Sequence, residues 1–276
     1  MNDLRLRRLF NPKNGKTIII PLDHGVTSGP IDGINNICST VNMLSKSEAN
    51  AVILHKGCIR VCKDILTENN NLAVIMHASA SLSISPQANR KVLVASVEEA
   101  VQIGADAISI HINIGNESDL FMIEDFGKIS EACTKWGMPL IVMVYPRGKN
   151  IEENDHKCNL LGARVAMELG ADIVKINCSG TQEEFSQLIN SVNIPVIIAG
   201  GAKKKNVGDL LFEIEQALKA GAAGISIGRN IFQFESPLLL INIINQLINK
   251  EIALDEALFL IKTKNKNKDV LSSATV

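Results

Sequence analysis

Eight short apolar runs, separated by helical stretches between residues 17 and 230, predict an α/β fold: a single-domain (β/α)8 TIM barrel. The runs are near-continuously apolar, as strands buried on both faces of a parallel sheet must be. Three of the helical stretches end in Gly-Ala just before the next run: Gly104-Ala105, Gly170-Ala171 and Gly221-Ala222. That is the pattern of a helix capped by glycine and followed at once by a buried strand. A doubly wound open sheet is the alternative, but no GxGxxG follows the first run and eight units suit a closed barrel better.

Residues 1–16 read as a lead-in, a short helix covering one end of the fold. Residues 17–260 carry the barrel, and 261–276 read as a charged, flexible tail. The apolar runs are 17–25, 51–57, 72–78, 107–113, 139–146, 172–177, 195–201 and 224–230. Helical stretches stand out at 97–106, 159–169 and 210–220. The third unit is irregular. Residues 78–86 are small and polar, so the third run opens into a loop rather than a helix.

The chain has 276 residues, 46% of them hydrophobic, and a net charge of −1, which gives no reason to expect nucleic acid or a membrane surface as partner. No uncharged apolar stretch reaches membrane-spanning length, and the basic N-terminus has no apolar signal core behind it, so a cytoplasmic location is expected. The six cysteines are scattered without CxxC spacing, which suits reduced thiols. Cys58 and Cys62 form a CxxxC pair with no second pair to complete a zinc site.

Barrel active sites lie at the carboxyl ends of the strands. Those ends carry Asp23 and His24, His55 and Lys56, His77, His111 and Asn113, Tyr145 and Arg147, and Lys175 and Asn177. Alternation along the sixth run puts Ile173, Lys175 and Asn177 on one face. It groups Ile141, Met143 and Tyr145 in the fifth run, and Ile19, Pro21 and Asp23 in the first. Lys175, flanked by Val174 and Ile176, is a charged group inside an apolar strand, which calls for a partner or a function. After the last two runs, Gly200-Gly201 and Gly228-Arg229 give backbone that can approach a ligand closely and a guanidinium, where barrels commonly bind phosphate.

A lysine facing a phosphate site points to imine chemistry on a phosphorylated ketone. The amine must be neutral to attack, so burial or a nearby cation has to lower its pKa. Tyr145 and Asp23 are placed by strand position to move protons. Lys56 also ends a strand and is a rival imine former. The histidines offer a different reading, a metal site, but none shows HxH or HExxH spacing.

The strings Pro21-Leu22-Asp23-His24-Gly25-Val26, Leu54-His55-Lys56-Gly57, Tyr145-Pro146-Arg147-Gly148-Lys149, Asp172-Ile173-Val174-Lys175, Ala199-Gly200-Gly201 and Gly228-Arg229-Asn230-Ile231-Phe232-Gln233 resemble, in this order, the archaeal-type class I aldolase family. The resemblance spans roughly residues 4–260. It implies Lys175 as the imine-forming residue, Tyr145 as proton donor and Asp23 as general acid/base. It also implies substrate contacts from His24, Gly25, Val26, Thr27, Pro146 and Arg147, with Lys56 added to that set. Gly200, Gly201, Gly228 and Arg229 complete it. The implied reaction is a transaldolase-type synthesis on the route to aromatic amino acids, with no metal or organic cofactor. A three-carbon ketone fragment passes from a deoxyketohexose phosphate to L-aspartate semialdehyde.

Fructose-bisphosphate aldolase is the alternative activity. Aldolases of the family often carry Trp where Met143 stands, which leans toward the synthase branch. Related synthases of secondary metabolism, or a barrel that only binds a sugar phosphate, remain open. Lys203, Lys204 and Lys205 depart from the family pattern, and the resemblance implies a ring-shaped homo-oligomer.

Overall fold

The computed structural model describes residues 3–68 and 71–273. The chain opens with α1 (Asp3–Arg8), β1 (Thr17–Pro21), α2 (His24–Ser28), α3 (Ile37–Leu44), β2 (Ala51–Leu54), α4 (Lys56–Val61) and α5 (Lys63–Glu68). It continues through β3 (Ala73–His77), β4 (Ser79–Ala80), β5 (Val92–Leu93), α6 (Val97–Gln102), β6 (Ala107–Ile114), α7 (Asp119–Trp136), β7 (Leu140–Pro146) and α8 (His156–Glu168). Then come β8 (Ile173–Asn177), α9 (Gln182–Asn190), β9 (Val196–Ala199), α10 (Val207–Ala220), β10 (Gly224–Ser226), α11 (Arg229–Phe232), α12 (Pro237–Ile248) and α13 (Leu254–Ser273).

Eight of these strands close into a parallel barrel in the order β1-β10-β9-β8-β7-β6-β3-β2. All eight apolar runs are barrel strands. Five of them (β1, β2, β3, β9 and β10) end earlier than the runs do, because the polar residues that follow start turns or the helices α2, α4 and α11. The irregular third unit folds as an antiparallel hairpin of β4 and β5 beside the barrel mouth.

Gly104, Gly170 and Gly221 have left-handed φ of 79°, 93° and 111°, so each ends its helix as the Gly-Ala pattern predicts. The polar residue just before a strand then fixes its neighbour. Asp106 accepts from the Val74 N–H and Asp172 from the Leu140 N–H, both at 2.8 Å, and Asn50 accepts from Ile18 at 2.7 Å. These side chains pin the register at the amino end of the barrel.

Apolar residues separate into two cores. The larger lies between sheet and helices; the smaller fills the barrel and includes Ile19, Ile53, Ile75, Ile141, Ile173 and Ile197. Leu9, from the lead-in, is fully buried beneath this inner core with Leu6 and Phe10 packed against it. The amino end is thereby plugged. α13 continues as helix to Ser273, across the boundary expected at residue 261; residues 274–276 lie outside the described residues.

Candidate active site

A cavity of about 340 Å³ opens at the carboxyl end of the barrel. Lys175 sits at its floor. The β8 ladder pairs Lys175 with Met143 of β7 and with Ile197 of β9, and alternation turns it inward above Ile173. The residue is only 5% exposed, and the Met143 sulfur lies 4.0 Å from its amine. Among the described residues no carboxylate comes within 4 Å of that amine. Burial, helped by Arg229 and opposed by Asp23, pushes its pKa down to about 8.

Asp23 follows β1 and faces the same cavity. Its carboxylate lies 3.6 Å from His77 Nε2 and 3.8 Å from His24 Nδ1. Burial alone would raise its pKa, but the surrounding histidines and Lys175 hold it well below the usual carboxylate range. Burial also keeps His77 neutral, with its pKa near 4, while its Nδ1 bonds the Ser109 hydroxyl at 2.9 Å. The pairing of His77 with Ser109 across β3 and β6 supplies that contact. Asp23 is therefore an ionised carboxylate at the floor of the cavity.

Tyr145 reaches the cavity from β7, directly above Met143 on the inward face. Its ring packs against His111 at 4.8 Å and under the Arg147 guanidinium at 5.1 Å. Burial raises its pKa above the ordinary phenol value, so it keeps its proton. Arg147 is paired with Glu153 at 2.8 Å, and Asn177 at the end of β8 donates to the Glu153 carbonyl at 3.4 Å.

The glycine turns after β9 and β10 form the opposite wall. Gly201 has φ of +61°, and a side chain on Gly228 would strike His24 and the Pro21 carbonyl. Arg229 donates to the Gly201 carbonyl at 2.8 Å. Asn230 donates to the carbonyls of Gly200 at 2.8 Å and Ala202 at 3.0 Å, and accepts from Lys204 N–H at 2.7 Å. The two loops are thus stapled together by one buried amide.

Of the residues singled out in the sequence, Asp23, His24, Thr27, Tyr145, Arg147 and Lys175 line the cavity. So do Gly200, Gly201, Gly228 and Arg229. Four do not. Lys56 is the first residue of α4, where the strand alternation has ended, and its amine bonds both Glu99 oxygens at 2.9 Å outside the barrel mouth. Its amine is thereby held away from the cavity that Lys175 faces. Gly25 and Val26 lie on the exposed side of α2, and Pro146 faces away from the cavity because its neighbours Tyr145 and Arg147 face in. Lys203 donates to the Gln233 carbonyl and Lys204 pairs with Glu213, so neither lines the cavity.

The histidines are spread around the mouth: His24 edge-on to Phe232, His55 edge-on to His77, and His111 against Tyr145. Among the described residues no three His, Cys, Asp or Glu side chains converge as a metal-ligand group. Three cavity residues, Ser28, Lys91 and Glu153, escaped sequence reasoning altogether. Lys91, just before β5, has no strand periodicity around it to announce which way it points.

Comparison with known proteins fits this geometry. Residues 17–234 match the model of the DeoC/LacD family aldolases. The chain is 37% identical over 257 residues to the 2-amino-3,7-dideoxy-D-threo-hept-6-ulosonate synthase 1 of Archaeoglobus fulgidus, covering 92% of this chain and 93% of the relative. It is 36% identical over 248 residues to the 2-amino-4,5-dihydroxy-6-oxo-7-(phosphonooxy)heptanoate synthase of Streptomyces griseus, covering 89% of each. A solved structure of the Schiff base forming fructose-1,6-bisphosphate aldolase shares 30% identity and a TM-score of 0.81, over 90% of this chain and 100% of its own. With a barrel of this topology and relatives aligned along nearly its whole length, the chain belongs to the DeoC/LacD family of aldolases.

Proposed function

We propose that this aldolase works through an imine on Lys175 and moves a three-carbon ketone fragment onto L-aspartate semialdehyde. The observation that carries the reading is the Lys175 amine: buried, without a carboxylate partner, depressed in pKa, and flanked by a base and a phenol. Its neutral form attacks the ketone carbon of the donor. The carbinolamine loses water and leaves a protonated imine. Asp23 takes the proton of the donor's β-hydroxyl, the adjacent C–C bond breaks, the rest of the donor leaves as a phosphorylated aldehyde, and the bonding electrons settle in an enamine. The enamine carbon then attacks the acceptor aldehyde, whose oxygen takes a proton from Tyr145. Water hydrolyses the new imine and returns the amine.

The names of the two synthase relatives support this acceptor. Both describe seven-carbon 2-amino acids with a ketone at carbon 6. Such a product divides into a four-carbon 2-amino aldehyde acid and a three-carbon ketone, joined between carbons 4 and 5. The relatives differ at carbon 7, which one name gives as deoxy and the other as phosphorylated. A deoxyketohexose phosphate is the donor for the first outcome. A phosphorylated three-carbon ketone is the second reading, favoured by the Gly200, Gly201, Gly228 and Arg229 wall, which suits a phosphate close to the imine carbon.

In that second reading the phosphate sits at the glycine turns, with the chemistry at Lys175 and the acceptor toward Tyr145 and Arg147. Assembly into a ring-shaped homo-oligomer belongs to the same proposal. A substrate screen tests it. We expect a seven-carbon amino acid when L-aspartate semialdehyde is supplied with a deoxyketohexose phosphate or with dihydroxyacetone phosphate. Cleavage of fructose 1,6-bisphosphate with no such product in either mixture would transfer the reading to fructose-bisphosphate aldolase.

A further inference from the structure

Lys91 is a cation in the cavity that the chemistry above leaves unused. It is 8% exposed, and its amine donates to the Ser81 hydroxyl at 2.6 Å. Among the described residues no carboxylate pairs with it. A cation buried against one neutral hydroxyl is a cost to the fold, and such groups are kept where an anion comes to meet them.

The field in the cavity shows where that anion belongs. The charge of Arg229, at the glycine wall, acts on His24 and Lys175. The charge of Lys91 acts on His55, His77 and His111, at the ends of β2, β3 and β6, and opposes that of Arg147. The cavity therefore has a second positive pole besides the one at the glycine wall. Arg147 is already paired with Glu153, whereas Lys91 feels Asp23 only across the cavity and has no direct ion pair among the described residues.

The pole is built rather than floppy. Lys91 adjoins the β4–β5 hairpin, and the carbonyl of Asn89 accepts at 2.6 Å from the fully buried Asn113 of β6. Asn113 Oδ1 in turn accepts from His111 Nε2 at 2.8 Å.

We propose that Lys91 pairs with an oxyanion at the end of the substrate remote from the imine carbon, a carboxylate on the acceptor aldehyde or a phosphate on the donor. This deepens the proposed function and rests on it. It makes Lys91 a specificity residue that selects charged substrates and leaves the bond-making to the Lys175 side of the cavity.

The test uses full-length wild type, Lys91→Met and Lys91→Arg. One arm compares kcat/KM for L-aspartate semialdehyde with that for propionaldehyde; the other compares deoxyketohexose phosphate with its dephosphorylated form. A hydrogen-bonded charge pair is worth about a 10- to 100-fold preference. We expect Lys91→Met to lower the charged-to-uncharged ratio by that factor in one arm, and Lys91→Arg to restore most of it. A fall in the first arm assigns the carboxylate, and a fall in the second assigns the phosphate. Ratios equal to wild type in both arms overturn the proposal. Borohydride trapping of the wild-type imine separates the two levels: an adduct on Lys175 with unchanged ratios defeats only the role of Lys91, whereas no adduct with any ketone defeats the function beneath it.

Discussion

Lys175 owes its chemistry to its surroundings. An ordinary lysine, with a pKa near 10.4, is neutral in only about one molecule in 2,500 at pH 7. With its pKa near 8, about a tenth of Lys175 is neutral there, a gain of over a hundredfold in attacking amine. Because the shift is downward, the neutral fraction grows as pH rises through 8 and is nearly complete by pH 9. The rate of imine formation in a single turnover should follow that curve, with its midpoint near pH 8. Arg229 contributes to the depression, so Arg229→Met should move the midpoint to higher pH. A midpoint near 10 in the wild-type enzyme would show that burial does not tune this amine.

At the scale of elements, the site depends on how loops leave the strands. Asn230 holds the turns after β9 and β10 with three hydrogen bonds. Asn230→Ala leaves the carbonyls of Gly200 and Ala202 without that donor, at a cost of about 1–3 kcal/mol. We expect a lower melting temperature together with a raised KM for a phosphorylated ketone, measured by calorimetry and steady-state kinetics. The same elements explain what was legible beforehand. The inward columns Ile173-Lys175-Asn177 and Ile141-Met143-Tyr145 could be read because period-2 alternation holds along a strand. Lys56 reads as a strand end in the sequence, but α4 begins at that residue, and helical geometry turns the side chain out to Glu99. Lys91 was invisible because its position comes from a hairpin inserted after β3, whose sequence is small, polar and aperiodic.

At the scale of the whole molecule, stability and chemistry occupy opposite ends of the barrel. The amino end is closed by Leu9 and pinned by Asn50, Asp106 and Asp172; the carboxyl end carries the polar cavity. Leu9→Ala removes a fully buried side chain and should cost about 2–5 kcal/mol in chemical denaturation. The pH midpoint of imine formation should stay near 8 in that variant, since no group that acts on Lys175 is moved. A midpoint shift as large as that of Arg229→Met would show that the plug and the site are coupled.

The central claim is that Lys175 carries the imine. Incubation with dihydroxyacetone phosphate and borohydride, followed by peptide mass mapping, reads it directly. We expect one reduced adduct, on Lys175, and none in Lys175→Ala. An adduct on Lys91 or Lys56 in its place, or no adduct with any ketose phosphate, would contradict the account.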